Sequence, residues 1–397
     1  MPTTGKASKV LIAVVRQEPV AHIGEGSGAA QGAMIAAALA LMLGGMPTTQ
    51  AAPLLPDGET LWHDAGLNAE ARPLIVTQGG SGMEPADHVT PHTRFTGVGD
   101  LIIDRTDFRS RCTTSRIGAR TILTAAHCIA DEYGNVVANA ASVTFTTAAG
   151  LSEVHQIATL SQAQIHPDYT GDALKGFDVA VLELATTPSE TVETYRLLRD
   201  HSADIGAVFD LVGFGRSGTG SSGDVRPSGI KRDGRNRFDA DGTVLEQLMS
   251  VSSERLETLL LFDFDNGLPE NDAFGFFFGE DFADTGLPDE VFIAPGDSGG
   301  PNFINNRIAA VNSFGLRLST ASGANSDIDG VLNSTWGEFA GSARVAHPEV
   351  SAWIDAQPGV FSPAAAQVPA PATPLLLLIG LMVAGVYRWL TINKNHS

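Results

Sequence analysis

From Phe95 onward the chain alternates short apolar runs with clusters of Gly, Asp and Ser. Six of these runs read as strands: Val98–Ile103, Arg120–Thr124, Ser142–Thr146, Asp178–Leu184, Val208–Gly213 and Ile308–Val311. Each is short, rich in β-branched residues and bounded by turn formers, and their spacing suits a sandwich or barrel. The pattern predicts an all-β, antiparallel barrel protein. Val350–Ile354 predicts a short amphipathic helix near the end of this region. Two longer apolar runs, Ala33–Leu43 and Pro374–Leu390, lie outside it.

Those flanking runs divide the chain. Ala33–Leu43 is too short to span a bilayer, follows Lys6, Lys9 and Arg16, and is ended by Gly44, Gly45 and Pro47 just before the small residues Thr49-Gln50-Ala51. Residues 1–51 therefore read as an export signal or leader; the alternative is a buried helix. Residues 52–93 carry no sustained period and read as a pro-segment or flexible leader, and residues 94–358 hold the barrel region. A Pro/Ala-rich linker follows at 359–373, then a hydrophobic sorting or anchor segment at 374–397. As a helix, Pro374–Leu390 would reach about 25 Å, near the lower limit for crossing a bilayer.

At 397 residues, 43% of them hydrophobic, the chain can bury a sizeable core. Its formal net charge of −20 argues against a nucleic-acid partner, which needs a basic footprint, and favours a soluble protein outside the cytoplasm. Cysteine usage agrees with export. Only Cys112 and Cys128 are present, 128 − 112 = 16 residues apart, and an even pair in an exported chain reads as a disulfide, with a free buried pair as the alternative.

The chemistry centres on Ala294-Pro295-Gly296-Asp297-Ser298-Gly299-Gly300-Pro301, where a hydroxyl sits among glycines that let a peptide backbone approach. Ser298 is the candidate nucleophile. A serine is weak at its free pKa and needs a base that a carboxylate orients. Thr124-Ala125-Ala126-His127-Cys128 offers the base, His127, and Gly176-Phe177-Asp178-Val179 offers the carboxylate, Asp178.

These three motifs, in the order His, Asp, Ser, resemble those of the trypsin/chymotrypsin-like serine proteases. The Gly-aromatic-Gly segment Val212–Gly215 and the Ser-aromatic-Gly segment Asn312–Gly315 add to the likeness. The resemblance implies two six-stranded antiparallel β-barrels over 94–358 with the site at their junction, a short C-terminal helix, and then the linker and hydrophobic tail helix. It also implies a Cys112–Cys128 bridge beside His127 and an oxyanion hole from the Gly296 and Ser298 N–H groups. Phe292, six residues before Ser298, would sit at the base of the specificity pocket, with Ser313 on the bound backbone and Gly315 along one wall; a core role for Phe292 is the other reading. No acid stands there to pair with Arg or Lys, so a small or apolar preference is expected. Asp297 would pair with a new N-terminus in a zymogen-type activation. Ile75-Val76-Thr77-Gln78-Gly79 partly echoes an activation sequence, although Pro73 and Leu74 stand where a basic residue would be expected.

The tail, with Val368-Pro369-Ala370-Pro371-Ala372, an apolar run and Arg388 and Lys394, resembles bacterial PEP-CTERM sorting signals. Its rivals are a permanent membrane anchor and a buried terminal helix. The expected partners are protein or peptide substrates, a signal peptidase and an exosortase-like sorting enzyme, at the bacterial cell envelope or in secretion. No cofactor is assigned. Asp239–Gly242 and Asp263–Gly267, in a long insertion between about 216 and 290, carry oxygen ligands for calcium, or form a solvated acidic insertion. The resulting expectation is a serine endopeptidase. A catalytically silent binding scaffold is the alternative from another class, and an esterase on the same residues fits the motif texture less well.

Overall fold

The computed structural model describes the backbone of residues 10–13 and the whole of residues 75–80, 83–246, 252–320 and 322–360. The apolar leader run and the hydrophobic tail fall outside these residues. Among the described residues no helix is long and apolar enough to cross a membrane.

The first barrel is built from β1 (Val98–Asp104), β2 (Arg109–Arg116), β3 (Thr121–Thr124), β4 (Ala140–Thr146), β5 (Ser152–Gln156) and β6 (Ala180–Glu183). They pair antiparallel in the order β5-β4-β1-β2-β3-β6, with a two-residue strand, Gln164–Ile165, added along β6. Alternation places the side chains. In β1, Val98, Leu101 and Ile103 are buried while Asp100, Ile102 and Asp104 are partly exposed; in β4, Ala141, Val143 and Phe145 are buried between partly exposed Ser and Thr. Burial of each large apolar side chain contributes roughly 1.5–3 kcal/mol. The sheet closes where the Ala158 N–H donates to the Glu183 carbonyl and the Ala185 N–H to the Gln156 carbonyl, which joins the ends of β5 and β6 and leaves no open edge.

The second barrel comprises β7 (Val208–Gly213), β8 (Arg232–Arg237), β9 (Ala240–Asp241), β10 (Leu259–Asp263), β11 (Pro301–Ile304), β12 (Arg307–Thr320) and β13 (Phe339–Arg344). Its order is β8-β7-β11-β12-β13-β10-β9, antiparallel throughout. Because β8 and β9 are successive parts of one stretch, pairing with β7 at its start and with β10 at its end, this sheet also closes into six walls. Its core is aromatic: Phe209 stacks on Phe238 at 4.0 Å between centroids, and Phe262 meets Phe209 edge-on at 5.1 Å. The expected fold of two six-stranded antiparallel barrels is the observed one.

The helix Pro348–Asp355 contains the expected terminal helix and sends Val350 and Ile354 into the first core. Several elements are longer than the sequence pattern suggested, or were missed. β12 runs for 14 residues because its strand pairing continues well beyond Val311. β2, with the sequence Arg-Ser-Arg-Cys-Thr-Thr-Ser-Arg, is buried from Cys112 to Arg116 although almost nothing in it is apolar. Its two threonine hydroxyls are satisfied internally, Thr113 Oγ1 donating to the Gly296 carbonyl at 2.9 Å and Thr114 Oγ1 to the Leu123 carbonyl at 2.8 Å, whereas the buried Ser110 and Ser115 hydroxyls have no partner among the described residues.

Part of the stretch read as a leader is built into the second half of the molecule. Val76–Thr77 pairs antiparallel with Val291–Phe292 and parallel with Gly218–Thr219, and Ile75 is fully buried.

Candidate active site

β3 ends in Thr124, and the chain turns at once into the single 3₁₀ turn Ala126–Cys128 that carries His127. Cys128 is bridged to Cys112 on β2, so the turn is tied to the neighbouring strand beneath the histidine. Asp178 stands two residues before β6, which pairs with β3, so the strand pairing brings the carboxylate to the imidazole. The residue before it, Phe177, is held at φ 61°, a left-handed backbone that costs a non-glycine residue on the order of 1 kcal/mol. Stacking of its ring on His166 at 4.5 Å, with the Arg255 guanidinium 4.9 Å from the ring centre, holds it there.

Asp178 is fully buried and takes three donors. The His127 backbone N–H reaches Oδ1 at 2.9 Å, His127 Nδ1 reaches Oδ2 at 2.7 Å, and Ser313 Oγ also donates to Oδ2. Burial by itself would raise its pKa. The positive charge of His127 and the hydrogen bonds from His127 and Ser313 outweigh that penalty and hold the carboxyl below its ordinary value. An ionised carboxylate can only accept, so Nδ1 of His127 carries the proton and Nε2 faces the other way as a base. The His127 ring lies at a cleft lined also by Arg105, Asp131, Glu132, Tyr169 and Ser313.

The Ser298 loop belongs to the second barrel, yet the first barrel holds it. The Thr113 N–H on β2 donates to the Ser298 carbonyl at 2.7 Å, and Thr113 Oγ1 donates to the Gly296 carbonyl at 2.9 Å. Thr113 Oγ1 also accepts from the Phe214 N–H, which fastens a second loop of the same barrel. Cys128 Sγ lies 3.8 Å from the Ser298 carbonyl, so the Ser298 backbone rests on the residue that follows His127. The glycines are required by space: a Cβ at Gly296, where φ is +103°, would meet Gly215 Cα at 2.9 Å, and one at Gly299 would meet Thr113 O at 2.3 Å. Within the loop the Asp297, Gly299 and Gly300 N–H groups are bonded to carbonyls of Ala294, Asn312 and Asp297. Among the described residues, the Gly296 and Ser298 N–H groups have no acceptor.

Asp297 is fully buried. Its two oxygens accept from the Gly215 N–H at 2.7 Å and the Ala294 N–H at 2.9 Å, and the wholly buried Arg232 contributes an opposing positive charge. Burial nevertheless dominates and pushes the carboxyl up to about 7. Arg232 was not singled out from the sequence; it stands in a charged run, Lys-Arg-Asp-Gly-Arg-Asn-Arg, that reads as solvated surface.

The structure separates the specificity residues. Phe292 has no exposure and stacks on Phe264 at 5.4 Å with rings 5° apart, while Phe262 meets it edge-on. It is a core residue of the second barrel, not a pocket floor; its aromatic neighbours come from β10 and the following loop, which sequence offset from Ser298 does not report. Ser313 and Gly315 lie on β12, both buried, with Gly315 opposite Ala340. The side chain of Ser313 is turned onto Asp178. This donor role was missed at the sequence level, and its only signal was its place in the Ser-aromatic-Gly segment.

Comparison with the model of the trypsin family matches residues 89–233, a span that contains His127 and Asp178 and stops short of Ser298. No curated protein matches the sequence. Among solved structures, one titled "HL collagenase structure at 1.7 Å resolution" is similar over 68% of this chain and 95% of its own length, with 19% sequence identity and a TM-score of 0.43.

Proposed function

We propose that the protein is a serine endopeptidase in which Ser298, His127 and Asp178 act as nucleophile, general base and orienting carboxylate. The observation that carries this reading is the buried, ionised Asp178 bound to His127 Nδ1, because it leaves Nε2 as the basic nitrogen on a turn whose Cys128 touches the Ser298 loop. Ser298 Oγ adds to the scissile carbonyl carbon while its proton passes to His127 Nε2. The carbonyl oxygen becomes an oxyanion, accepted by the unpaired N–H groups of Gly296 and Ser298, each worth about 3–4 kcal/mol in such sites. Collapse breaks the C–N bond, and the departing amine takes the proton from His127. A water then attacks the acyl-enzyme ester by the same route and restores Ser298.

The match over 89–233 supports this assignment, and the two-barrel fold provides the junction it needs. With Phe292 buried in the aromatic core, its neutrality does not set the P1 preference, and none is part of the proposal. Residues 1–51 as an export signal and 374–397 as a sorting or anchor segment would put the enzyme outside the cytoplasm, with protein or peptide substrates. Processing ahead of Ile75 would place a new ammonium at the start of a strand that pairs with Val291–Phe292, just before Asp297.

The test is hydrolysis of an unstructured protein such as casein, and of a peptide library varied at P1, by the full chain and by Ser298→Ala. Activity lost in the variant is the expected result, and the library reads which P1 residues are accepted. Equal activity in the two proteins would remove Ser298 from its role.

A further inference from the structure

The insertion between the two halves of the second barrel collects carboxylates where the core should be driest. β10 ends at Asp263, and the next residues alternate Phe264, Asp265. Both phenylalanines, Phe262 and Phe264, enter the aromatic core, so Asp263 and Asp265 turn to the opposite face and are also buried, at 2% exposure each. Asp272, which caps the helix Ala273–Phe278, meets them there at 3% exposure. Oxygen atoms of these three side chains all lie within 4.8 Å of one another. Two further acids surround them: Asp239 accepts from the Asp263 N–H and Glu290 from the Asp265 N–H.

Hydrogen bonds account for only part of this set. Asp263 Oδ2 takes the Ala273 and Phe274 N–H groups at 2.8 and 3.0 Å, and Asp272 Oδ1 takes the Gly275 N–H at 2.7 Å. Asp265 Oδ1 is shut off from solvent and has no donor at all. After burial, the largest influences on Asp265 are the carboxylates of Asp263, Glu290, Asp239 and Asp272. A buried carboxylate oxygen without a donor or a cation is a costly arrangement that native proteins rarely retain.

We propose that Asp263, Asp265 and Asp272 bind one calcium ion, with Asp265 Oδ1 and an oxygen from each of the other two as ligands and Asp239 and Glu290 as the surrounding negative charge. The chemistry favours calcium among cations. All donors are hard oxygens, with no imidazole or thiolate to select a transition metal, and calcium accepts irregular cages that magnesium does not. Calcium–oxygen distances near 2.3–2.6 Å put opposite ligands up to about 5 Å apart, which the spread of these oxygens matches. The ion would pin the insertion to the barrel. Gln78 Nε2 donates to the Asp265 carbonyl, and Asn236 Nδ2 bridges the Asp263 and Val291 carbonyls at 2.8 and 2.9 Å, so the site is tied to the strands that lead toward Ala294.

The proposal does not depend on the peptidase reading, and its test uses the full chain carrying Ser298→Ala so that self-cleavage cannot intrude. After chelation, titration calorimetry with CaCl2 and MgCl2 at pH 7.5 is paired with thermal unfolding in each salt. The expected result is one calcium per chain, a melting temperature higher by several degrees in calcium, a weaker response to magnesium, and at least a tenfold loss of calcium affinity in Asp265→Asn. Absence of binding heat and of any thermal shift at millimolar calcium would overturn the proposal and leave the carboxyls sharing protons. Undiminished calcium binding in Asp265→Asn would overturn the assignment of this residue. If Asp265→Asn does not fold, the calcium and magnesium titrations of the parent protein decide alone.

Discussion

Two aspartates in this molecule are about equally buried and electrostatically opposite. Asp178 receives two donors from His127 and one from Ser313, and its carboxyl lies below the ordinary value. Asp265 has an oxygen with no donor and four acidic neighbours, and its carboxyl is pushed up to about 11 by burial and by those neighbours. Burial works in the same direction at both sites. The partners decide the outcome, and they show which carboxylate is complete within the chain and which calls for a ligand. Asp297 falls between them, with two backbone N–H donors and the charge of Arg232, and with a value of about 7.

The comparison breaks most visibly at Asp178. Asp178→Asn keeps the size of the side chain but can donate to Nδ1, which favours the wrong imidazole tautomer; kcat is expected to fall about 10⁴-fold with the fold retained. Steady-state kinetics beside circular dichroism would check it, and a loss below tenfold would mean that Asp178 does not orient His127. A smaller effect is expected when the bridge beneath His127 is opened. Cys112→Ser with Cys128→Ser frees a 16-residue loop and should lower stability by about 3 kcal/mol in denaturant unfolding. An unchanged midpoint would show that strand pairing alone holds the histidine turn.

Acid titration separates the aspartates most gently. The folded pKa of Asp178 is lowered, so its contribution to stability is present above about 4 and is lost as pH falls through the folded value. Asp297 has the opposite sign. Its folded pKa is raised to about 7, so its contribution is full below about 4 and is lost as pH rises through 7. Asp297→Asn should therefore flatten the decline of stability between about pH 4 and 7, read by urea unfolding at a series of pH values. The same slope in both proteins would contradict the buried, protonated carboxyl.

Much of the site was legible because its chemistry needs particular residues at particular turns. Gly296 and Gly299 occupy places where a Cβ would collide with neighbouring atoms, and such constraints leave a readable Gly-Asp-Ser-Gly-Gly string. His127 and Asp178 flank β3 and β6, whose apolar patterns are clear. β2 was hidden because its buried face is made of Thr, Ser and Cys, which carry no hydrophobic period; the Thr113 and Thr114 hydroxyls meet carbonyls that only the folded chain supplies. Phe292 was ambiguous for a related reason. An offset from Ser298 says nothing about Phe262 and Phe264, which arrive from a distant strand and enclose it. The acidic stretches were visible as composition, but no local spacing announces that Asp263, Asp265 and Asp272 converge, since Asp272 reaches the others through a helix cap.

Activation of Ser298 by His127 is read by reaction with a fluorophosphonate probe. The purified protein should gain the mass of one phosphonyl group on a peptide containing Ser298, and neither Ser298→Ala nor His127→Ala should be modified. Mass spectrometry of the intact N-terminus on the same sample would tell whether processing ahead of Ile75 accompanies reactivity. Labelling that persists in His127→Ala, or no labelling of the wild-type protein after proteolytic activation has been attempted, would contradict the account and favour a scaffold that binds peptides without cutting them.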